Sequence, residues 1–465
     1  MAAGSPAPQT RDDDPDPTGR HREQRSWYWY DWANSGYVTT TLTVLFTPYL
    51  TDIAKRTACP GQDTDLACRT DLHLLGVPLA PGSLALYTIT AATLLSALVL
   101  PVVGAAVDRS GRKRTALARI TWIGALAASA MVFLGGTRWW LGIVLVMIAN
   151  LCLGSALVIY DAILVDVSTP DERDAVSSRG WAFGYIGGGL LLAVNLGMVS
   201  AHAALGLSTE WAVRLSLLSA GLWWGGFTLI PYRGLRDLPP LAADAAGTDG
   251  ALTGAFTQLR HTLRDLRGYP QTLLFLLAYL FYNDGIQTVI YASTLFGQEQ
   301  LHLDKNALII GVLLVQFVGF AGALLFGRMA ARVGSHRTVL VSLVLWCLVV
   351  ASGYVVPERQ FVLFLVMAAA IGLVLGGSQA LSRSLYSQLV PRGREAEYFS
   401  LYQSAERGTS WFGTLSFGLI YQLTGSYRDA IVALVVFFLL GGGLLSRVDV
   451  RKGILDAGNE VPAVV

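Results

Sequence analysis

The sequence predicts an all-α membrane protein of twelve transmembrane helices, arranged as two six-helix pseudo-repeats with both termini cytoplasmic. Three observations carry that prediction: too little charge for a soluble chain, twelve long apolar stretches, and glycine-centred strings that recur at a fixed offset. Of the 465 residues, 53% are hydrophobic and only 14% charged, where soluble domains carry about a quarter charged. Mean hydropathy is +0.50. A near balance of 34 Lys and Arg against 32 Asp and Glu offers no basic face to a nucleic acid. The composition also excludes a disordered chain and a coiled coil.

A bilayer core about 30 Å thick takes about 20 apolar residues per helix. Stretches of that kind run over 27–51, 83–107, 115–134, 139–166, 180–203, 211–231, 270–296, 306–327, 338–356, 361–389, 398–421 and 428–446. The ten-residue alternation of a membrane barrel is absent. Orientation follows from Lys and Arg: 23 fall on the side of the N-terminus, 7 on the other and 4 within spans. Cytoplasmic loops retain positive residues, so both termini are expected inside. Residues 1–26, polar and rich in Pro and Asp, read as a disordered cytoplasmic tail rather than a cleaved signal peptide. Trp27, Trp29, Trp32, Trp139, Trp140, Trp223 and Trp224 sit at or near span ends, as an aromatic belt does. Thirty Arg to four Lys, with abundant Ala and Gly, fits a GC-rich bacterial genome, hence a bacterial plasma membrane.

A polar cytoplasmic linker, 232–269, separates a bundle over 27–231 from one over 270–446, with 447–465 as a second cytoplasmic tail. Duplicated halves are common in transporters, and the strings agree. Gly104 and Gly111 are matched by Gly327 and Gly334 at an offset of 223, and Gly154-Ser155 by Gly377-Ser378 at the same offset. Pro170 and Pro391 are offset by 221. Tyr30-Asp31 and Asn283-Asp284 are offset by 253, and one insertion, the external loop 52–82, accounts for the difference. That loop carries Cys59 and Cys68, which either pair or stay as two thiols; an external compartment favours the bond. Cys152 and Cys347, within spans, read as packing residues.

Gly104-x3-Asp108-Arg109-x-Gly111-Arg112-Lys113-Arg114 resembles the loop motif of the major facilitator superfamily, which joins the second and third helices and braces the inner gate. The second copy is eroded, with Ala331 at the Asp position. Three further strings resemble the UMF family, relatives of the autophagy-associated vacuolar effluxers: Tyr30-Asp31-Trp32-Ala33-Asn34-Ser35 with Thr39-Thr40, Gly180-Trp181-Ala182-Phe183-Gly184-Tyr185-Ile186-Gly187-Gly188, and Tyr282-Asn283-Asp284-Gly285-Ile286-Gln287-Thr288. The resemblance implies the major facilitator fold and solute movement by alternating access, with amino acids as the substrates of the better-known relatives. It also places Asp108 against the N-terminus of the eleventh helix near Tyr398, where the positive dipole end favours a carboxylate. There Gly111 gives the tight turn, and Arg112, Lys113 and Arg114 serve topology and gating.

Charges at membrane depth are costly, so each calls for a partner or a role. Asp284 lies 14 residues past Pro270, about 21 Å along a helix, and Gly285 beside it is a place where the helix can break and free backbone groups for a ligand. Glu406 and Arg407 are adjacent and so point about 100° apart; one is expected to face the cavity and the other to pair across helices, and a direct Asp284–Arg407 pair is open. Asp31 reads as about one turn into the first span, where the helix N-terminus is a competing, purely structural explanation. Asn34, on the same face, is placed to orient a substrate, as are Asn283 and Gln287. Asn150, Asn195, Gln316 and Gln379 suit interhelical hydrogen bonds. Asp161 and Arg383, near the cytoplasmic span ends, are expected to snorkel or to join the inner gate. Gly184, Gly187, Gly188 and Gly189 form a small-residue stripe for close helix packing.

The reading is a secondary transporter, monomeric and without cofactor or metal, moving a small solute with protons as the expected coupling ion and Asp284, Asp31 or Glu406 titrating. No phosphate loop is present to take ATP. A lipid or sugar cargo on the same fold is the alternative. A polytopic enzyme is disfavoured because the six His are scattered and no H-E-x-x-H occurs.

Overall fold

The computed structural model describes residues 17–63, 68–74, 76–239, 262 and 264–465. Part of the predicted linker and residues 1–16 of the predicted tail lie outside them. Among the described residues ten helices are long and apolar enough to cross a bilayer. The helices holding the predicted spans 27–51 and 398–421 do not meet that test, because they concentrate the polar side chains discussed below.

The first rod is already helical at Pro17, the first described residue, ten residues ahead of the predicted span. Helix α1 (Pro17–Tyr37) passes through a π-helical stretch, Val38–Leu45, into α2 (Phe46–Ala58). The tail assignment is therefore wrong for residues 17–26. They are the first turns of α1, held by an Arg20–Glu172 ion pair of 3.1 Å and by Gln24 Nε2, which donates to the Val167 carbonyl at 3.0 Å. Partial burial alone would raise the Glu172 carboxyl, but the Thr169 amide and Arg20 outweigh it and hold it below its ordinary value. Among its described residues, the loop after α2 holds a disulfide, Cys59–Cys68, and a two-stranded hairpin, β1 (Leu72–Leu74) with β2 (Val77–Leu79).

The rest of the first half is α3 (Leu84–Ser110), α4 (Lys113–Ala130), α5 (Trp139–Val167), α6 (Arg173–Ser200), α7 (Thr209–Phe227) and the short α8 (Leu229–Gly234). The second half holds α9 (Pro270–Leu295), α10 (Lys305–Val333), α11 (Ser335–Ser352), α12 (Phe361–Gln388) and α13 (Glu395–Thr424). It closes with α14 (Tyr427–Ala433), α15 (Val435–Leu445) and α16 (Val450–Asp456). Leu98, Leu126, Leu348 and Val362 are exposed on the outside of the bundle, the surface a bilayer would cover.

The sequence repeat has a structural counterpart. Gly111 ends α3 and Gly334 ends α10, each at positive φ. Gly104 lies against Ala396 and Ser400 of α13, and Gly327 against Ser178 of α6. Each half thus offers the same glycine to a helix of the other half. The expected stripe divides its work: Gly184, Gly187 and Gly188 receive Ser35, Trp32 and Thr39 of the first rod, while Gly189 meets Gln316 and Phe317 of α10. A methyl at Gly187 would sit 2.7 Å from the Trp32 carbonyl oxygen. Gly187→Ala should therefore cost about 1–3 kcal/mol through overpacking, read as a lower melting temperature of the purified protein. Gly197→Ala, with nothing within 4 Å of the added atom, should leave the melt unchanged.

Three tryptophans assigned to an interfacial belt, Trp27, Trp139 and Trp224, are buried. Trp27 and Trp224 are fully buried, stacked on Tyr160 at 4.2 Å and Tyr37 at 4.9 Å. Their positions near span ends came from starting the first rod ten residues too late and from reading a terminal position as an exposed one.

Candidate functional site

Packing of α1, α5 and α6 of the first half against α12 and α13 of the second brings six polar side chains to one place. Arg383 of α12 is the centre. Its Nη2 donates to Asp31 Oδ2 and its Nη1 to Asp161 Oδ1, both at 3.3 Å. Its Nε donates to Ser177 Oγ at 3.0 Å, and Nη2 also reaches the Ser177 carbonyl at 3.1 Å. Ser177 Oγ passes its own proton to the Ala380 carbonyl at 2.7 Å. Gln403 of α13 donates to Asp161 Oδ2 at 2.8 Å, and Tyr160 Oη to Asp31 Oδ2 at 2.7 Å. The rings of Trp27, Tyr160 and Trp181 lie 4.9, 5.3 and 5.5 Å from the guanidinium carbon. A buried charge persists when paired and hydrogen-bonded, and this one has both. Asp161 and Arg383 therefore do not snorkel. Asp31 lies 14 residues into α1, about 21 Å from its start, so the helix N-terminus does not account for it. Asn34 spends its amide locally, on the Tyr30 carbonyl at 2.9 Å and on Asp31 at 3.5 Å.

A second set closes the end of the bundle. Asp108 Oδ1 and Oδ2 accept from the backbone N–H groups of Ala396 and Glu397 at 3.0 and 2.8 Å, so a side chain of one half caps α13 of the other. Lys113 bridges Asp166 of its own half and Glu395 across the seam, both at 3.0 Å. Arg173 Nη1 donates to the Ser387 carbonyl and Gln388 Oε1 at 3.0 Å, Gln388 Nε2 to the Pro170 carbonyl at 2.8 Å, and Ser384 pairs with Asp174. Arg114 instead holds Asp237 of its own half at 3.2 Å, and Arg112 is exposed.

The predicted C-terminal tail belongs here too. Asn459 donates to the carbonyls of Gln388 and Val390, and the Ala463 amide donates to Asp171 of the first half at 2.7 Å. Asn459→Ala would leave both carbonyls without that donor. It should lower the melting temperature by an amount equivalent to about 1–3 kcal/mol, measured against wild type in the same detergent.

Toward mid-bundle the links between halves become sparse. Arg407 Nη1 donates to Asn150 at 3.2 Å and Gln316 lies 3.5 Å from Thr39. Among the described residues the side-chain hydrogen bonds joining the halves run from these two to the Asp108 end. Glu406 turns the other way, accepting from Tyr279 at 2.9 Å and lying 3.4 Å from Gln287. Each of the adjacent pair thus has its own helix partner. The open Asp284–Arg407 pair does not form. Neither carboxylate oxygen of buried Asp284 meets a side-chain hydrogen-bond partner, and the polar group beside it is the Gly413 backbone of α13. Gly285 does not break α9; it is packed under Phe437 and Phe438. Asn283 accepts from Gln379 at 2.9 Å, and Asn195 from Ser219 at 3.0 Å. Ser177, Tyr160, Gln403 and Glu395 carry much of this network without having been singled out. Only Tyr160, beside Asp161, and Trp181, in the glycine string, had a sequence signal.

A family model described as a vacuole effluxer, Atg22-like, matches residues 19–458. The chain belongs to that Atg22-like family. The MFS-type transporter YxiO of Bacillus subtilis is 27% identical over 445 residues, covering 95% of this chain and 98% of the relative. Autophagy-related protein 22 of Pyricularia oryzae is 26% identical, covering 98% of this chain and 80% of that one. Among solved structures, a bacterial homologue of the iron transporter ferroportin in its outward-facing state superposes with a TM-score of 0.65 at 13% identity, over 92% of this chain and 98% of that one. The Escherichia coli fucose:proton symporter FucP does so at 0.64 and 12%, with the same coverage. These likenesses place the Atg22-like chain in the major facilitator fold, an integral membrane transporter fold.

Proposed function

We propose that this Atg22-like protein is a secondary transporter that moves a small solute, with amino acids the first class to test, by rocking its two halves about a site near mid-bundle, coupled to protons. Twelve helices cross the membrane in this reading: the ten apolar ones plus the rods around Asp31 and Glu406, whose polar faces turn inward. The Asp108 end is the cytoplasmic one, because the loops there hold most of the Lys and Arg. Both termini then lie in the cytoplasm of a bacterial cell, and the structure corresponds to the state shut on that side.

The observation that carries the reading is Asp284: a buried carboxylate, about 21 Å into α9, with no side-chain hydrogen-bond partner and no cation paired to it. An ionised group left so would cost several kcal/mol, so it is at rest when protonated and must gain water or a cation to ionise. That is the behaviour a proton-coupling group needs as access alternates. Arg407, with its Nε lacking an acceptor, is the buried cation on α13 that would receive an anionic end of the cargo. The family name of the vacuolar relatives and the proton-coupled neighbour FucP support solute movement and protons respectively.

In proteoliposomes, uptake of a labelled amino-acid panel should rise with an imposed pH gradient. Asp284→Asn should cut gradient-driven uptake at least about tenfold while leaving exchange down a solute gradient. Full pH-driven uptake by the Asn variant would remove Asp284 from the coupling role.

A further inference from the structure

The guanidinium of Arg383 is held by groups that all belong to the other half: Asp31, Asp161 and Ser177 by hydrogen bonds, Trp27, Tyr160 and Trp181 by their ring faces. Much of this cage is tied together without the arginine. Trp27 stacks on Tyr160 and donates its indole N–H to the Tyr160 carbonyl at 2.9 Å, and Tyr160 holds Asp31. Gly180 keeps the space open: a methyl there would lie 2.7 Å from the Trp27 ring and 2.9 Å from Asp31 Oδ2. The cage is also internal, Asp161 standing six residues before the end of α5, about 9 Å inside the closed end.

When the halves part at the Asp108 end, Arg383 leaves with α12 and the six cage residues stay on the first half. Two carboxylates, a hydroxyl and three aromatic faces without their cation form a site for another cation: carboxylates supply charge-assisted hydrogen bonds, and ring faces attract guanidinium and ammonium groups. We infer that this cage is a cargo subsite for a guanidinium or primary ammonium group, and that Arg383 is a tethered competitor which refills it whenever the bundle closes. A tethered group acts at an effective concentration in the millimolar range or above, so the free ligand binds weakly to the closed state and favours the open one by population shift. This rests on the alternating-access reading above and narrows its cargo to compounds carrying such a cation.

The test is equilibrium binding of labelled agmatine, which has a guanidinium and an amine but no carboxylate, to the full-length protein in nanodiscs without any gradient. Putrescine and free guanidinium serve as competitors to tell ammonium from guanidinium recognition. Wild type should bind agmatine saturably. Asp161→Asn and Trp181→Leu should each weaken binding at least about tenfold, Trp181→Phe should retain it, and Arg383→Ala should strengthen it at least about tenfold. Should Arg383→Ala fail to fold, the Trp181 pair still decides the matter in a closed-competent protein. No saturable agmatine binding in wild type, or equal binding in wild type and Asp161→Asn, overturns the inference. Because binding is read without transport, gradient-driven amino-acid uptake alongside absent agmatine binding would sink only the cage. Agmatine binding with no uptake of any solute would sink only the transport reading.

Discussion

Arg383→Gln should open the closed end of the bundle. The substitution removes the cation that Asp31 and Asp161 share and leaves two buried carboxylates without it. Breaking a buried pair by removing one partner costs about 3–5 kcal/mol, because the remaining charge is left uncompensated. Parting the halves gives both carboxylates water, so the cost falls on the closed state alone. The closed-to-open ratio should fall by about a hundredfold or more. Spin labels at Arg112 and Arg392, exposed residues flanking the seam on opposite halves, report it: their separation should lengthen and broaden in Arg383→Gln. Adding Asp31→Asn and Asp161→Asn to that variant removes both stranded charges and should restore much of the short distance. An unaltered distance distribution in Arg383→Gln would show that the cluster does not hold the gate.

Asp108→Ala should act in the same direction through a different force. The carboxylate accepts two backbone N–H groups at the start of α13, the donors that a helix leaves without internal partners. Its negative charge also meets the positive end of the helix dipole. Both donors are buried in the closed state, and losing their acceptor should cost about 2–6 kcal/mol, from about 1–3 kcal/mol for each of the two unsatisfied groups. Asp108→Asn keeps one acceptor oxygen but loses the charge, so its effect should lie between wild type and Ala. The same label pair measures both variants. Equal distances in Asp108→Ala and wild type would assign the gate to Lys113 and its two carboxylates instead.

The two sets differ in how much of each could be read from the chain. The Asp108 contact was accessible because its motif is local: the Gly104–Gly111 spacing, the turn at Gly111 and the basic run lie within eleven residues, and the helix it meets follows from the family resemblance. The Arg383 cluster was not accessible. Asp31, Asp161, Ser177 and Arg383 are separated by up to 352 positions. Nothing in the neighbourhood of any one of them names the others. Asp31 was misread by depth, since the polar first turns of α1 looked like tail. Gly285 was misread as a break because a glycine permits one; whether it is used depends on what lies against it, and here that is Phe437 and Phe438.

By itself the sequence determined the class, the ends of most long helices to within a few residues and the list of charges that needed partners. Those properties are set by hydropathy over about twenty residues and by turn chemistry, both local. The tertiary structure alone decided the pairing: Glu406 with Tyr279 and Arg407 with Asn150, though the two are neighbours; Arg383 with both Asp31 and Asp161; Asp284 with no side chain. Partner choice inside a bundle depends on the rotation and crossing of helices packed from different parts of the chain. The same packing forces left Asp284 beside the Gly413 backbone, without a side-chain partner.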